Sequence, residues 1–416
     1  MTRVRSMGGA LLAVLLLVAA CSSTPNEAAG DPDQPRSSVG TAQPIDPADP
    51  VPPPTTEAVV PTTTTAAPPA YCEAGPFRID PETLAIIDPL GEPFLPVGIN
   101  LTGGVYEGEN AFWENSSSVG LTQLGAANLV DNWQINTVRL NLNSELDPNI
   151  WIDPELDRLI ELLTRNGIVV MLENHSSGTG FDPTDQEIAI VTAGMSGIAE
   201  RWADNSCVWF NPHNEPGGKV DQSAYHLNLN KALVTEDDAW VQWHVPVIEA
   251  IRDYSDAIVV LDDTHWGQGK GTGEFELGQS AVITYGPQLN EKYENLLYSV
   301  HVYERWAEYD VAEYFDAAHA VGVAVVVGEV SGHQTEQTGI TRGYWPAATR
   351  LFELREPGVG ILAWHGNSRF SSATSVARRF GRRFPIWQVS SEAGLDGIGV
   401  LLWDFAHNPP PAIPER

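Results

Sequence analysis

The sequence predicts an α/β fold built from eight strand–helix repeats, on two observations. Short apolar runs alternate with longer amphipathic segments between Val97 and Trp364, which is the pattern of a parallel sheet with crossover helices. Polar and aromatic residues also stand at or directly after the ends of seven of these runs. Eight such units close into a (β/α)8 TIM barrel, which is the predicted architecture. A doubly wound open sheet is the alternative, but no glycine-rich phosphate-binding fingerprint follows the first run.

The first 20 residues have the features of a secretory signal peptide. Arg3 and Arg5 give it a positive start, and the apolar run 11–20 is too short to cross a bilayer as a permanent helix. Cys21 follows small residues, an arrangement that resembles the lipobox of bacterial lipoproteins. The resemblance implies that Cys21 is lipidated and that the protein is bacterial and extracytoplasmic, anchored to the cell membrane or secreted. An ordinary signal peptide with an incidental cysteine is the alternative.

Residues 21–70 form a second segment, which is rich in Pro, Thr, Ala and Asp. Val51–Thr56 and Pro61–Thr65 are representative stretches. Such a composition cannot bury enough apolar surface to offset the entropy of the chain. We therefore expect a disordered, semi-extended tether in front of a single domain formed by residues 71–416.

The acidic composition limits the partners of this domain. The formal net charge of the chain is −31. A surface of this sign repels phosphate backbones, so nucleic acid is not an expected partner, and contact with a membrane is expected through the lipid anchor only. The composition suits a monomeric enzyme that acts on a neutral substrate.

Two cysteines, Cys72 and Cys207, remain after the lipidation site. In an extracytoplasmic protein such a pair indicates one disulfide bond, with two buried free thiols as the alternative. The sequence has no Cys/His spacing of the zinc type, so no metal site is predicted.

The eight strands are predicted from the apolar runs, and Pro154–Leu163 is a clear intervening helix. Two C-terminal segments are harder to interpret. The basic run Ala377–Phe384 is expected to be a final barrel helix beside acidic neighbours, and Val400–Trp403 to be an extra strand or the true eighth strand. The eight predicted strands are Val97–Asn100, Thr137–Leu140, Ile168–Leu172, Val208–Phe210, Ile258–Leu261, Leu297–Val300, Val323–Val327 and Ile361–Trp364.

Chemically useful side chains stand at the carboxyl ends of these strands. Because such ends meet at one rim of a barrel, we expect them to form one site. Glu329 follows a run of valines and a glycine, where a carboxylate without a role would be costly to bury. Asp262 and Asp263, in contrast, are expected to cap or brace loops. The rim residues are Arg139, Glu173–His175, His213–Pro216, Thr264–Gln268, His301–Tyr303, Gly328–Glu329 and Trp364.

Two of these rim motifs resemble family 5 of the glycoside hydrolases, within the clan of (β/α)8 retaining enzymes. Asn214-Glu215-Pro216 follows the fourth strand, where the clan has its acid/base, and Gly328-Glu329 follows the seventh, where it has its nucleophile. Their separation fits three intervening βα units. The resemblance covers about residues 90–370 and implies a glycosidase that needs no cofactor.

Within this family the sequence is similar to two kinds of enzyme. Ser299–Glu304, Trp266–Gln268 and Leu362–Asn367 resemble bacterial β-mannanases, whereas His213–Pro216 is typical of cellulases. Val330-Ser331 departs from the aromatic–glycine pair that is common after the nucleophile, and the Trp364 segment is shorter than in the mannanases. The resemblance therefore implies an endo-β-1,4-glycanase whose polysaccharide or oligosaccharide substrate is a mannan or a glucan.

The two carboxylates are expected to divide the chemistry of retention between them. Glu329 would attack the anomeric carbon, while Glu215 would protonate the leaving oxygen and later activate water. Arg139 and Tyr303 are suited to hydrogen-bonding Glu329 and keeping it ionised.

The other candidates are expected to bind the sugar. Asn214 would bind the 2-hydroxyl, a contact that strengthens in the transition state. His175 and His301 would hold hydroxyls and carboxylates in place, and Trp364 and Trp266 would stack on sugar rings. Two other functions remain open at this point: a transglycosylase acting on envelope glycans, and a catalytically idle, carbohydrate-binding surface lipoprotein.

Overall fold

Eight parallel strands form a closed barrel in the computed structural model of the chain. Three two-residue strands, β1 (Arg78–Ile79), β2 (Ile86–Ile87) and β3 (Pro93–Phe94), form a small antiparallel sheet ahead of it. The barrel strands, β4 to β11 in chain order, are Val97–Thr102, Thr137–Leu142, Val169–Asn174, Val208–Asn211, Val259–Asp262, Leu296–Val302, Val325–Val330 and Gly360–Ala363. Each strand pairs with the next, and β11 pairs with β4 to close the ring. The predicted (β/α)8 barrel is confirmed, and every predicted strand overlaps an observed one.

The structure describes part of the chain. The described residues are 70–102, 120–145, 147–175, 183–217, 239–271, 274–332, 345–366, 375–380 and 382–413. The predicted signal peptide, Cys21 and nearly all of the predicted tether lie outside the described residues, so these assignments stay predictions. Within the described ranges, no helix combines the length and the apolar character that crossing a membrane requires.

The helices of the described ranges alternate with the barrel strands. Helix α2 shows how the sequence forms them: Asp153 accepts a hydrogen bond from the Glu155 amide at 2.8 Å, and a proline occupies the first helical position. Its buried residues recur at helical spacing and face β6. Helices α1 to α8 are Gln123–Asp131, Pro154–Thr164, Asp185–Arg201, Ala239–Arg252, Ala281–Asn290, Ala312–Ala320, Trp345–Leu354 and Ile398–His407.

The barrel strands are buried along their whole length. Every residue of β5 to β11 is buried, which explains why the strands appear in the sequence as nearly continuous apolar runs. Polar side chains that occur within or beside these strands must therefore find partners inside the protein. Most of them lie at the carboxyl ends of the strands, where they form the site described below.

Two predictions for the C-terminal region are wrong. Val400–Trp403 belongs to helix α8, because Ile398, Leu402 and Phe405 recur at helical spacing and bury one face. The basic run is not a helix but a hairpin of β12 (Arg378–Arg379) and β13 (Arg382–Arg383). Phe380, at its turn, has a φ of +49°, a conformation that ends regular helix.

A disulfide bond joins Cys72 to Cys207, with their Cα atoms 5.1 Å apart. It links the segment before β1 to the residue that precedes β7. Phe77 and Trp209 pack edge to face beside it, with ring centroids 5.2 Å apart. The bond therefore ties the N-terminal segment to the amino-terminal end of the barrel, opposite the rim where the polar side chains meet.

Replacing both cysteines with serine should lower the free energy of unfolding. The bond closes a loop with a sequence separation of 135 residues, and loops of this size restrict the unfolded chain by about 2–5 kcal/mol. Urea denaturation followed by tryptophan fluorescence would measure the loss. Wild type under reducing conditions is the control, and its urea unfolding midpoint should be close to that of the double variant. Equal unfolding midpoints for oxidised and reduced wild type would contradict this role.

Candidate active site

Arg139, on β5, lies at the centre of a buried polar cluster. Its side chain is 0% exposed, and its guanidinium makes five hydrogen bonds, which is the number of N–H donors it carries. The acceptors come from five neighbouring side chains. They are Asn211 Oδ1 at 2.8 Å, Asn100 Oδ1 at 3.0 Å, Glu329 Oε1 at 2.7 Å, Asn214 Oδ1 at 2.8 Å and Asp262 Oδ2 at 3.0 Å. Arg139 therefore joins the carboxyl ends of β4, β7, β8 and β10.

Glu329, on β10, has both carboxylate oxygens engaged. Oε1 accepts the hydrogen bond from Arg139, and Oε2 accepts one from the Tyr303 hydroxyl at 2.8 Å. The preceding Gly328 is required by the packing, because a Cβ there would lie 2.2 Å from Ser299 Oγ. The predicted contacts of Arg139 and Tyr303 with Glu329 are present, and they fix the orientation of its carboxylate.

Glu215 lies just beyond β7 and contacts His301, on β9. Its Oε1 is 2.8 Å from His301 Nδ1. Burial and the nearby Glu329 carboxylate raise the pKa of Glu215, and the hydrogen bond from His301 acts in the opposite direction. Glu215 is therefore more readily protonated than an exposed glutamate.

The two glutamates approach each other closely. A carboxylate oxygen of Glu215, one of Glu329 and a ring nitrogen of His301 all lie within 4.8 Å of one another. Two carboxylates at this distance cannot both be charged without a cost, so a shared environment of this kind favours one protonated and one ionised group.

His175 and Trp364 form one wall of the cluster. Their rings stack with centroids 5.6 Å apart, and Trp364 packs against Tyr303. His175 Nδ1 lies 3.1 Å from the Glu173 carboxylate oxygens. Burial alone would lower the pKa of His175, but Glu173 raises it above its usual value.

Two other predicted rim positions, Trp266 and His213, are less central. Trp266 is half-buried on the loop after β8, where the neighbouring Gly267 lies against the His301 ring. The stacking role of Trp266 stays a prediction. His213 is buried outside the cluster, with Nε2 3.1 Å from the Trp243 carbonyl oxygen.

The family of the chain follows from a comparison of sequence models. The model described as cellulase (glycosyl hydrolase family 5) matches residues 91–369, which include every strand of the barrel. The chain belongs to glycoside hydrolase family 5. A comparison with curated proteins finds no match.

Solved structures of cellulases and mannanases share the fold. An endoglucanase catalytic domain from Thermobifida fusca is 17% identical, with a TM-score of 0.56 over 80% of this chain and 98% of that one. The catalytic domain of alkaline cellulase K is 15% identical, with a TM-score of 0.59 over 85% and 99%. A β-mannanase from Streptomyces thermolilacinus is 19% identical, with a TM-score of 0.51 over 73% and 89%. At these identities the likeness shows the (β/α)8 fold of family 5 alone.

Sequence reasoning missed one central residue of this candidate site. Asp262, at the end of β8, was expected to cap or brace a loop, but it is fully buried and bonded to Arg139. Its neighbour Asp263 does brace a loop: it accepts hydrogen bonds from the Ala281 amide at 2.9 Å and the Tyr314 hydroxyl at 2.8 Å. The signal was available, since Asp262 ends a strand as the other site residues do.

Three further side chains complete the family 5 site without having been assigned a role. Asn100 donates to the Gly328 carbonyl oxygen at 2.9 Å, and Asn211 donates to Asp262 at 3.0 Å. Glu173 accepts from Asn141 at 2.6 Å. Asn100 and Asn211 also accept hydrogen bonds from Arg139, and Glu173 lies 3.7 Å from its guanidinium, so all three help to hold the arginine that orients Glu329.

Proposed function

We propose that this family 5 protein is a retaining endo-β-1,4-glycanase that cleaves mannan or glucan through Glu329 and Glu215. The observation that carries the proposal is the approach of their carboxylate oxygens to within 4.8 Å. Retention needs two carboxyl groups about 5–5.5 Å apart, whereas inversion needs about 6.5–9.5 Å to admit a water molecule. The separation supports retention.

In the first step Glu329 attacks the anomeric carbon and forms a covalent glycosyl-enzyme. The hydrogen bonds from Arg139 and Tyr303 hold its carboxylate in one orientation. Glu215 donates its proton to the departing glycosidic oxygen, so the leaving group departs as a neutral alcohol. The raised pKa of Glu215 supports this role, because the group must be protonated to act as an acid.

In the second step Glu215, now ionised, takes a proton from water as that water attacks the anomeric carbon. The bond to Glu329 breaks, and the sugar leaves with its original configuration. Asn214, held by Arg139 at 2.8 Å, is positioned to bind the 2-hydroxyl of the reacting sugar. Trp364 supplies an aromatic face beside His175 for stacking.

The substrate class is supported by what related structures bind or are named for. A Thermobifida fusca endoglucanase of 17% identity was solved with cellotetraose, and mannanase domains from Streptomyces species share the fold. Both substrates are neutral β-linked polysaccharides. A polymer of this kind also suits the net charge of −31, which would repel an anionic one.

Reducing-sugar release from mannan, glucomannan, hydroxyethylcellulose, mixed-linkage glucan and xylan, all of which are neutral polymers, tests the proposal. Wild type should release sugar from a mannan or a glucan, and Glu215→Gln and Glu329→Gln should lose that activity by orders of magnitude. Glu161→Gln, a change in a surface ion pair on α2, is the matched control and should keep full activity. Wild-type inactivity on every polymer would contradict the proposal.

Transglycosylation is the second candidate, and the predicted lipid anchor at Cys21 favours it. An enzyme that remodels the envelope of its own cell benefits from being held at the membrane. With an acceptor oligosaccharide in excess, a transglycosylase would form longer products, whereas a hydrolase would form shorter ones. Membrane fractionation of wild type and Cys21→Ala tests the anchor, and release of the variant alone into the soluble fraction is expected.

A further inference from the structure

A single buried carboxylate, Asp262, contacts four groups in and around the pair of glutamates. They are the side chains of Asn211, Arg139 and His301 and the backbone N–H of Glu215. We propose that Asp262 is a positioning residue for the acid/base: it fixes His301 and the backbone of Glu215, and thereby directs the catalytic proton of Glu215. The inference rests on the proposed role of Glu215.

Asp262 has charged or polar partners on both oxygens. Oδ1 accepts a hydrogen bond from Asn211 at 3.0 Å. Oδ2 accepts from Arg139 at 3.0 Å and from the backbone N–H of Glu215 at 3.2 Å, and it lies 3.3 Å from His301 Nε2. The last contact is a charge contact rather than an aligned hydrogen bond. Since Asp262 is 0% exposed, water does not compete for these partners.

The backbone contact matters because Glu215 has an unfavourable conformation. Its φ is +44°, in the left-handed region that is unfavourable for residues other than glycine. Such a conformation persists only when the surroundings hold it. The hydrogen bond from the Glu215 N–H to Asp262 stabilises this backbone conformation. Among the described residues, no other side chain accepts a hydrogen bond from that N–H.

The side-chain contact runs through His301, whose two ring nitrogens face two different carboxylates. Nδ1 lies 2.8 Å from Glu215 Oε1, and Nε2 faces Asp262. Burial alone would lower the pKa of His301, but the Glu329, Asp262 and Glu215 carboxylates raise it to about 10. A carboxylate at each ring nitrogen favours the imidazolium, which carries a proton on both nitrogens.

The position of this proton on Nδ1 decides which oxygen of Glu215 is the acid. Because Oε1 accepts the hydrogen bond from His301, the transferable proton of Glu215 resides on Oε2. The charge on His301 depends in turn on the anion at its other nitrogen. Without the charge of Asp262, the pKa of His301 would fall, because only Glu329 and Glu215 would then raise it. A neutral ring carries one proton, which it can place on either nitrogen, so the donor to Oε1 of Glu215 would no longer be fixed.

Asp263 provides a matched control, because it is the next residue and equally buried. Its partners are structural: the Ser280 hydroxyl, backbone amides at the start of α5 and the Tyr314 hydroxyl. Asp263→Asn should weaken the cap of α5 and lower stability. The folded variant should keep the wild-type ratio of activities on substrates with good and poor leaving groups.

The first experiment compares Asp262→Asn with Asp263→Asn on two aryl β-glycosides of the sugar that wild type cleaves. One carries dinitrophenol, which departs without protonation, and the other carries phenol, which requires an acid. We expect Asp262→Asn to lower kcat/KM for the phenyl glycoside about 100-fold, which is the lower end of what a general acid contributes, and to affect the dinitrophenyl glycoside much less. Equal losses on both substrates, or the same pattern in Asp263→Asn, would overturn the proposal.

The second experiment does not depend on activity, and its first measurement uses wild type alone. Nitrogen-15 NMR of histidine-labelled wild type should show His301 doubly protonated at pH 8, consistent with its raised pKa. In Asp262→Asn the titration of this ring should shift to lower pH. A neutral His301 in wild type at pH 8 would overturn the inference. Inactivity on every glycan together with a protonated His301 would count against the proposed function alone.

Discussion

Glu329→Ala should lower kcat/KM by about 10⁴-fold or more, the largest loss expected from any single substitution in this protein. Its carboxylate is the proposed nucleophile, and both of its oxygens are oriented by neighbours, Oε1 by Arg139 and Oε2 by Tyr303. Stability should fall as well, because Arg139 loses one of its buried carboxylate partners and keeps Asp262. Initial rates on the cleaved polymer, normalised to folded protein by circular dichroism, would measure the loss.

Azide separates the roles of the two glutamates. In Glu215→Ala the glycosyl-enzyme still forms from a dinitrophenyl glycoside, and azide, which needs no base, should capture it as a glycosyl azide of retained configuration. In Glu329→Ala azide would enter the space left by the carboxylate and give the inverted azide. The reverse pattern would exchange the two roles, and rescue of neither variant would contradict the double-displacement mechanism.

Replacing Arg139 with methionine should have the second-largest effect, and it should affect both activity and stability. The variant leaves Glu329 and Asp262 buried without their shared cation, and breaking a buried ion pair in this way costs about 3–5 kcal/mol. Because Asn214 and Glu329 also lose their common donor, kcat/KM should fall by about 10³-fold. Urea denaturation and initial rates would measure the two effects separately.

The pH dependence of the Arg139→Met effect has a definite sign. Burial alone would raise the pKa of Asp262, but Arg139 and His301 hold it below its usual range. The resulting stabilisation is present above the unfolded-state pKa of about 3.9 and is lost as the pH falls through the folded-state value. The variant lacks the part of this stabilisation that Arg139 contributes. The difference in unfolding free energy between wild type and variant should therefore be largest above about pH 4 and should shrink in more acidic solution.

Arg158→Met is the control for this prediction. Arg158 forms an ion pair with Glu155 on α2, but its side chain is 41% exposed. An exposed pair contributes about 0–1 kcal/mol, so this variant should be nearly as stable as wild type. Equal losses of unfolding free energy in the two arginine variants would show that burial does not strengthen the contribution of Arg139 to stability.

The barrel was predictable because its strands are buried on both faces. Continuous apolar runs such as Val325–Val327 follow directly from that burial, and the polar residues at their ends share one rim in any barrel. The contacts among Arg139, Tyr303 and Glu329 could be anticipated for the same reason. All three stand at or just after the carboxyl ends of barrel strands, which converge on one rim.

The errors have a common physical cause, which is that local sequence does not report which partner a side chain meets. Asp262 and Asp263 are adjacent and chemically identical, but successive side chains at a strand end point in opposite directions. One therefore enters the polar cluster and the other caps α5. Val400–Trp403 is similar: four apolar residues fit a strand or a helix, and only the flanking positions of α8 decide between them.

The most direct test of the central claim is the anomeric configuration of the first product, followed by proton NMR while wild type cleaves a β-linked oligosaccharide. Carboxylate oxygens within 4.8 Å predict that the β-anomer appears first and the α-anomer only later, by mutarotation. A product that appears first as the α-anomer would mean that water attacks directly, and the proposed nucleophilic role of Glu329 would be wrong.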